Sequence, residues 1–190
     1  PKKSKQLNHY FTYTDLSGFV DKISSIIPDD KKDLFAKIIS EGNNFSIRTR
    51  DTNGKVIFVI KASLGTDSSS NGVSRMEFEA VVPMTLDELD NKLIDAGLLY
   101  QAKWSREREE YEMGDTVICI DKNAGYGYLA EFERVVTDPS QVEQTRLDLV
   151  ELMKDFGVDE LKQDRLERMF AFYNSHWPEY YGTDKIFNIE

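Results

Sequence analysis

The sequence is poor in cysteine and histidine, and it contains no long apolar run. Its one cysteine, Cys119, excludes a disulfide framework within the chain, so a reducing compartment such as the cytoplasm is expected. Its two histidines, His9 and His176, are far apart and lack metal-ligand spacing, which favours structural or surface roles. No apolar run approaches the length of a membrane span and no signal peptide opens the chain, so we expect no membrane partner.

Basic residues are fewer than acidic residues. Lys and Arg number 24 against 34 Asp and Glu, which gives a formal net charge of −10 and a pI of about 4.8. A chain this acidic is unsuited to coating nucleic acid or an anionic membrane, although it can still hold a small basic pocket. The length of 190 residues and the 40% hydrophobic content predict one domain, residues 1–190, with a substantial core.

The hydrophobic pattern predicts strands that are joined by short turns and interrupted by helices. This order is typical of an α+β fold with an antiparallel sheet, not of a parallel βαβ fold. The expected strands cover 6–13, 44–51, 55–63, 73–82, 98–112, 116–121 and 128–136, and the expected helices cover 15–27, 29–39, 85–96, 139–156 and 159–173. A glycine- and serine-rich stretch at 64–72 is expected to be a flexible connector.

Two local signals fix parts of this pattern. The sequence Asn53-Gly54 lies between two alternating segments and predicts a tight β-hairpin turn. Thr85 followed by Glu88 predicts a capping box at the start of a helix that ends near Gly97.

The polar faces of the predicted strands carry an unusual set of side chains. Because strand residues point alternately to opposite faces, Arg75, Glu77 and Glu79 share one face, and Met76 and Phe78 share the other. The charged side chains that oppose an apolar face in this way are Arg48, Arg50, Lys61, Arg75, Arg106, Arg108, Glu77, Glu79, Asp121, Glu131 and Glu133.

Two interpretations of these charged faces are open. Alternation alone favours a solvated outer surface, which is common in antiparallel sheets. The alternative is a sheet that closes on itself, with the amphipathic helices outside and the charges within. The composition favours the second interpretation, because exposed strand surfaces are usually rich in Thr, Lys and mixed polar residues, whereas these faces combine Arg with pairs of Glu.

The residue types also indicate a chemistry. Carboxylates at positions i and i+2 of a strand converge on one spot and suit a hard divalent cation such as Mg²⁺ or Mn²⁺. Arginines bind phosphate oxygens with their forked guanidinium groups. A divalent metal beside an arginine cluster is the equipment of phosphoryl transfer.

The order of these motifs resembles the CYTH family, the triphosphate tunnel metalloenzymes. The resemblance extends roughly from residue 6 to residue 185, and it depends on several motifs in the right order, none of which is specific alone. The motifs are Arg48-x-Arg50, Ile60-Lys61, Arg75-x-Glu77-x-Glu79, Arg106-x-Arg108-x-x-Tyr111, Ile120-Asp121, a glycine-containing loop and Glu131-Phe132-Glu133.

The resemblance implies an eight-stranded antiparallel tunnel, a closed barrel with helices packed outside it. Carried over by position, the implied metal ligands for Mg²⁺ or Mn²⁺ are Glu131, Glu133 and Glu77. Glu79 and Asp121 are implied to act in catalysis, Asp121 by orienting an arginine or a metal-bound water. The implied phosphate-binding residues are Arg48, Arg50, Lys61, Arg75, Arg106 and Arg108.

One family feature is absent from the sequence. The family carries a Glu-x-Glu-x-Lys motif on its first strand, and no such motif precedes Gln6. Either this strand lies upstream of Pro1 or this chain has lost it. A tunnel that lacked this wall would expose sheet edges, so we expect the strand to lie upstream of Pro1.

Three functions remain open at this stage. The first is hydrolysis of a nucleoside, thiamine or inorganic triphosphate. The second is the class IV adenylyl cyclase reaction, which forms cAMP from ATP. The third is binding of nucleotide or polyphosphate without turnover. The expected partner is a triphosphate-containing small molecule, and a homodimer is also expected by analogy with the family.

Overall fold

The computed structural model describes residues 1–16, 18–63 and 75–189, with the side chains of Arg75 and Pro139 outside the description. The connector predicted at 64–72 lies outside the described residues. The strands are β1 (Lys2–Thr12), β2 (Asn43–Thr52), β3 (Lys55–Ser63), β4 (Arg75–Val81), β5 (Leu99–Met113), β6 (Thr116–Asn123) and β7 (Gly127–Arg134). The helices are α1 (Phe19–Ile23), α2 (Lys32–Glu41), α3 (Leu86–Asp95), α4 (Val142–Asp155) and α5 (Gln163–Tyr180). An α+β fold is therefore confirmed.

The seven strands form one antiparallel sheet in the order β4-β3-β2-β1-β5-β6-β7. Within the described part of the chain this sheet is not closed into a barrel. The closed tunnel of eight strands is thus not confirmed and stays a prediction. None of the helices in the described residues combines the length and the hydrophobicity that crossing a membrane requires.

The chain divides into two compact units. The first unit contains the described residues of 6–68 and 74–105, and the second contains 1–5 together with the described residues of 106–190. Both β1 and β5 pass from one unit into the other, since the division falls after Lys5 in β1 and after Ser105 in β5.

The first unit is built on an apolar sheet face covered by helices. Strand alternation turns Ile47, Phe58 and Phe78 to the same side, where all three are fully buried in one hydrophobic cluster. Phe35 of α2 packs onto Phe58 and Phe78, with ring centroids 6.3 and 5.4 Å away. Leu89 of α3 is fully buried in the same cluster. The helices therefore leave the opposite, charged face of these strands uncovered by this core.

The second unit contains the β5–β6–β7 meander and the two C-terminal helices. Tyr173 of α5 is fully buried and packs against Tyr126, and Phe187 also packs against Tyr126. Backbone hydrogen bonds join Gly125 to Lys185 and Phe187, so the C-terminal segment is fixed to the β6–β7 turn. This turn directly follows the end of β6, near Asp121.

Both local signals in the sequence are confirmed. Asn53 and Gly54 have φ of 52° and 85°, the left-handed pair that a tight hairpin turn with β-sheet twist requires. The Thr85 side chain accepts a hydrogen bond from the Glu88 backbone, and the Glu88 carboxylate accepts one from the Thr85 backbone. The turn and the helix start therefore have the geometry that their residue types predict.

Three elements depart most from their predicted bounds. Strand β1 begins at Lys2 rather than Gln6; its neighbour in the sheet is β5, and Lys2, Lys3 and Lys5 form ion pairs with glutamates of that strand. The helix expected over 15–27 is shortened to Phe19–Ile23 and followed by a 3₁₀ turn. Helix α5 continues through Pro178 to Tyr180, whose ring packs against Phe187 at 5.5 Å. This packing offsets the single backbone hydrogen bond that proline cannot donate.

Candidate functional site

The charged face of the first unit has the composition that strand alternation predicts. The register pairs Arg48 with Val59 and Val59 with Glu79, and it pairs Lys61 with Glu77. Residues paired across antiparallel strands share a face, so these side chains all lie opposite the core cluster. The charged residues of this face include Arg48, Arg50, Lys61, Glu77 and Glu79.

Neutral groups of β1 hold the two arginines of this face. The Arg50 Nε–H donates to the Asn8 Oδ1 at 2.8 Å, and an Arg48 Nη1–H donates to the Tyr10 hydroxyl at 2.8 Å. The Arg48 guanidinium also lies over the Tyr10 ring, 5.1 Å from its centroid. Arg50 also forms a longer ion pair with Glu79, with 3.3 Å between Nη1 and Oε1. Asn8 and Tyr10 therefore orient the two arginines without neutralising them, while Glu79 balances part of the Arg50 charge.

Arg48 retains an unsatisfied donor. Among the described residues its buried Nε–H has no hydrogen-bond partner. A buried donor without an acceptor costs about 1–3 kcal/mol, which an oxygen atom of a bound anion would recover. This orphaned donor is the feature of the first unit that points most directly to an anionic ligand.

The remaining predicted residues of the first unit occupy the same face. Lys61 Nζ lies 2.9 Å from Glu77 Oε1, and this pair is partly exposed. The Arg75 backbone pairs with Ser63, which places the residue on the same side of β4 as Glu77 and Glu79, while its side chain lies outside the description. The implied metal role of Glu77 and the implied catalytic role of Glu79 stay predictions.

The second unit has its own charged face, and a buried carboxylate lies at its centre. Asp121 on β6 is 1% exposed. Arg108 donates two parallel hydrogen bonds to Asp121, Nε to Oδ1 at 2.7 Å and Nη2 to Oδ2 at 2.6 Å. Arg106 Nη1 also donates to Asp121 Oδ2, at 2.8 Å. Both Asp121 oxygens are thereby occupied by guanidinium groups. Of the two implied roles for Asp121, this geometry suits the orientation of arginines.

Glu131 on β7 joins the same network from the exposed side. Its Oε2 accepts from Arg108 Nη2 at 2.5 Å, and its Oε1 lies 3.5 Å from Arg106 Nη1. Burial by itself lowers the pKa of Arg108, but the hydrogen bonds that it donates to Asp121 and the negative charges of Glu131 and Asp121 outweigh this effect. The net effect holds the pKa of Arg108 well above its ordinary value, so its charge is permanent.

Cys119 lies within this charged face. The register pairs it with Glu110 and Glu131, and its thiol is buried. Burial raises the pKa of the Cys119 thiol; the charge of Arg108 acts in the opposite direction, but burial together with the charges of Glu131 and Asp121 outweighs it. The thiol is therefore a poor nucleophile, in agreement with the packed and unreactive role expected for it.

The two charged faces differ in their balance of charge. In the first unit the described cations Arg48, Arg50, Lys55 and Lys61 share the face with two carboxylates, Glu77 and Glu79. In the second unit two arginines share the face with five carboxylates, namely Glu110, Glu112, Asp121, Glu131 and Glu133. The first face thus favours an anion, whereas the second favours a cation.

A divalent metal fits the carboxylate pair of the second unit. Glu131 and Glu133 lie two residues apart on the same face of β7, and both are exposed. Mg²⁺ is commonly held by one or two carboxylates together with substrate phosphates and waters. Within the described residues no group of three or more His, Cys, Asp or Glu side chains is arranged to hold a metal ion. The pair therefore suits a metal whose other ligands come from substrate and water.

Parts of both charged faces are shielded from solvent. Val59 lies between Arg48 and Glu79 and is fully buried, although it is on the side opposite the core cluster. The Arg50 and Arg106 side chains are each only 13% exposed. These buried positions favour the enclosed interpretation of the charged faces, and the closed tunnel itself stays a prediction.

The sequence interpretation missed Asn8 and Tyr10. Both lie on the charged side of β1, and the register pairs Asn8 with Arg50 and Tyr10 with Arg48. Alternation along β1 separates Asn8 and Tyr10 from His9 and Phe11, but only the pairing register shows which arginine each one meets.

The sequence comparison identifies the family. Residues 40–166, most of the chain, match the family model of the CYTH domain. This chain belongs to the CYTH family. The match includes every residue for which a site role is predicted, from Arg48 to Glu133. No curated protein matches the CYTH chain.

Solved structures agree on the fold. The CYTH chain resembles protein PH1819 from Pyrococcus horikoshii OT3, with a TM-score of 0.62 and 19% identity over 88% of this chain and 86% of that one. For PH1012 from the same organism the TM-score is 0.59, with 14% identity over 84% and 77%. A Vibrio parahaemolyticus protein named "putative adenylate cyclase" gives a TM-score of 0.58, with 15% identity over 90% and 82%. At these identities the likeness concerns the fold alone.

Proposed function

We propose that this CYTH protein is a divalent-metal-dependent phosphohydrolase that cleaves the terminal phosphate from a linear triphosphate. The observation that carries the proposal is the presence of two oppositely biased charged faces, one in each unit. The first has arginines, of which Arg48 has an unsatisfied buried donor, and the second has an exposed carboxylate pair. Family membership supports it, since CYTH proteins are metal-dependent and bind triphosphates.

In the proposed reaction a water oxygen attacks the terminal phosphorus. The bond from that phosphorus to its bridging oxygen breaks, which leaves inorganic phosphate and a diphosphate. Glu131 and Glu133 would hold Mg²⁺ or Mn²⁺, which supplies charge neutralisation for the phosphate oxygens. The predicted role of Glu77 is a further metal contact.

The protein groups contribute mainly positioning and electrostatics, as phosphoryl transfer requires. Arg48, Arg50 and Lys61 would bind phosphate oxygens, and Arg75 belongs to the same predicted set. Glu79 would orient and deprotonate the attacking water. Asp121 would fix the Arg106 and Arg108 guanidiniums so that their remaining N–H groups face a phosphate.

Several finer features are part of this proposal. Closure of the sheet into an eight-stranded tunnel and a homodimer rest on the family resemblance, a single domain over 1–190 rests on the chain length, and a cytoplasmic location rests on the single cysteine. No nucleic acid is expected as a partner.

The direct test is a phosphate-release panel. Tripolyphosphate, ATP and thiamine triphosphate are each offered with Mg²⁺ or Mn²⁺, and cAMP is measured in parallel with ATP. We expect phosphate release from at least one triphosphate and no cAMP. Formation of cAMP with diphosphate would instead establish the cyclase reaction, and binding without either product would establish a non-catalytic protein.

A pair of variants assigns the metal role. Glu131→Gln should abolish turnover while leaving the melting temperature almost unchanged, since Glu131 is about half exposed. Glu107→Gln is the matched control, because Glu107 is similarly exposed, lies on the other face of β5 and pairs with Lys5 at 3.1 Å. Normal turnover in Glu131→Gln would remove the metal role.

A further inference from the structure

Strand β1 holds both arginines of β2 at points that the register fixes. Asn8 is directly opposite Arg50, and Tyr10 is directly opposite Arg48. Asn8 is 3% exposed and its amide oxygen accepts the Arg50 Nε–H at 2.8 Å. Tyr10 contacts Arg48 in two ways: its hydroxyl accepts a hydrogen bond from Arg48, and its ring lies beneath the guanidinium group. Each arginine is thus held by a rigid neighbour on an adjacent strand.

The choice of neutral acceptors has an electrostatic consequence. In the second unit Arg106 and Arg108 are held by Asp121 and Glu131, so their charges are largely balanced. An amide oxygen and a phenol hydroxyl also orient a guanidinium, but they add no negative charge. Glu79 lies 3.3 Å from Arg50 and balances part of its charge, but Asn8 and Tyr10 do not further reduce the attraction of the two arginines for an incoming anion. This attraction grows in a shielded, low-dielectric setting.

Pre-orientation adds to affinity by a separate route. A free arginine side chain loses rotamer freedom when it binds a ligand, and this loss reduces the net binding free energy. Here part of that ordering is already supplied by the protein. Arg50 donates its Nε–H to Asn8, and Arg48 donates one Nη1–H to Tyr10. The residue opposite each arginine on β1 therefore fixes the orientation of the guanidinium group and of the N–H donors that remain for an anion.

We propose that Asn8 and Tyr10 are positioning residues for polyphosphate: they aim Arg50 and Arg48 at the phosphate groups of a linear triphosphate and, as neutral acceptors, add no negative charge to the site. This role rests on the proposed function of the site. It concerns the phosphate chain alone and so applies equally to inorganic and nucleoside triphosphates.

The test separates orientation from charge. Asn8→Asp keeps an oxygen acceptor for the Arg50 Nε–H but adds a negative charge. The hydrogen bond to Arg50 is therefore kept or strengthened, while the net positive charge of the anion site falls. We expect the melting temperature to stay level or rise, and tripolyphosphate affinity, measured by calorimetry with chelator present, to fall about tenfold or more. A purely structural role for Asn8 predicts unchanged affinity in this variant.

Tyr10→Phe removes only the hydroxyl acceptor and keeps the ring. Loss of one neutral hydrogen bond predicts a fall in tripolyphosphate affinity of roughly three- to tenfold. In steady-state assays both variants should raise KM more than they lower kcat. Matched controls are Asn91→Asp on the exposed side of α3 and Tyr128→Phe at an exposed position of β7, and neither should change the affinity.

The outcomes distinguish this inference from the function on which it rests. If the unaltered protein neither binds nor hydrolyses tripolyphosphate, the proposed function itself fails. If the unaltered protein binds and Asn8→Asp binds equally well, the positioning role is overturned. Should Asn8→Asp fail to fold, Tyr10→Phe decides alone, and unchanged affinity in that variant overturns the proposal.

Discussion

Arg108 and Asp121, on neighbouring strands, form a bidentate ion pair with N···O distances of 2.7 and 2.6 Å. Asp121 is almost completely buried, and Arg106 donates to it as well. A buried carboxylate between two guanidinium groups is a strongly coupled arrangement, in which each charge depends on the others.

Asp121→Asn should destabilise the protein. The amide that replaces one carboxylate oxygen cannot accept from a guanidinium, so two poorly solvated arginines lose their shared anion. Breaking a buried pair in this way costs about 3–5 kcal/mol, which urea denaturation would measure. Asp184→Asn is the control, because Asp184 pairs with Lys122 at an exposed position, and it should leave the free energy of unfolding unchanged. Equal effects of the two substitutions would contradict the buried-pair assignment.

Protonation of Asp90 at acid pH should lower the free energy of unfolding of the first unit. Burial of this carboxylate raises its pKa, but hydrogen bonds from His9, Thr49 and Tyr100, each at 2.6 Å, outweigh burial and leave the pKa below the ordinary value. A lowered folded-state pKa contributes stability above the unfolded pKa of about 3.9, and the contribution disappears as pH falls through the folded value.

The comparison of Asp90→Asn with the unaltered protein isolates this contribution. Between pH 6 and acid pH the free energy of unfolding should fall less steeply in Asp90→Asn, whereas Asp95→Asn, at the exposed end of the same helix, should follow the unaltered protein. Parallel curves for Asp90→Asn and the unaltered protein would show that the Asp90 carboxylate is not specially stabilised.

Gly125 should be far less replaceable than Gly114. Both have positive φ, 81° and 62°, so alanine at either position incurs a backbone cost of about 1–2 kcal/mol. A Cβ at Gly125 would in addition lie 2.8 Å from the Tyr173 ring and 2.9 Å from the Phe187 ring, while none of the described atoms lies within 4 Å at Gly114.

Gly125→Ala should therefore lower the free energy of unfolding by about 1–3 kcal/mol more than Gly114→Ala, because overpacking adds to strain. Thermal or urea denaturation of the two variants provides the comparison. Equal losses would mean that the C-terminal segment does not pack tightly on the β6–β7 turn.

The sequence predicted the fold well where local chemistry decides structure. The Asn53-Gly54 turn and the Thr85–Glu88 capping box follow from residue type alone, and alternation correctly separated Glu131 and Glu133 from Phe132. The sequence failed where a distant partner decides. Lys2 and Lys3 carry no strand signal of their own, yet glutamates more than a hundred residues away extend β1 over them. Aromatic packing likewise carries α5 past Pro178.

The candidate site divides in the same way. Residue type and alternation were enough to place the predicted arginines and glutamates on each charged face, but they did not identify Glu110 and Glu112, which share the face of the second unit. They could not show that Asp121 serves two arginines, or that Asn8 and Tyr10 hold Arg50 and Arg48, because these relationships depend on strand register. The charge difference between the two faces is a further result of pairing that composition does not contain.

The most direct test of the account is a crystal structure with tripolyphosphate and Mn²⁺, in which anomalous scattering locates the metal. We predict a manganese peak coordinated by the Glu131 and Glu133 carboxylates and by phosphate oxygens, with the phosphate chain bonded to Arg48 and Arg50. A manganese peak away from these glutamates, or a polyphosphate that touches neither arginine, would contradict the account.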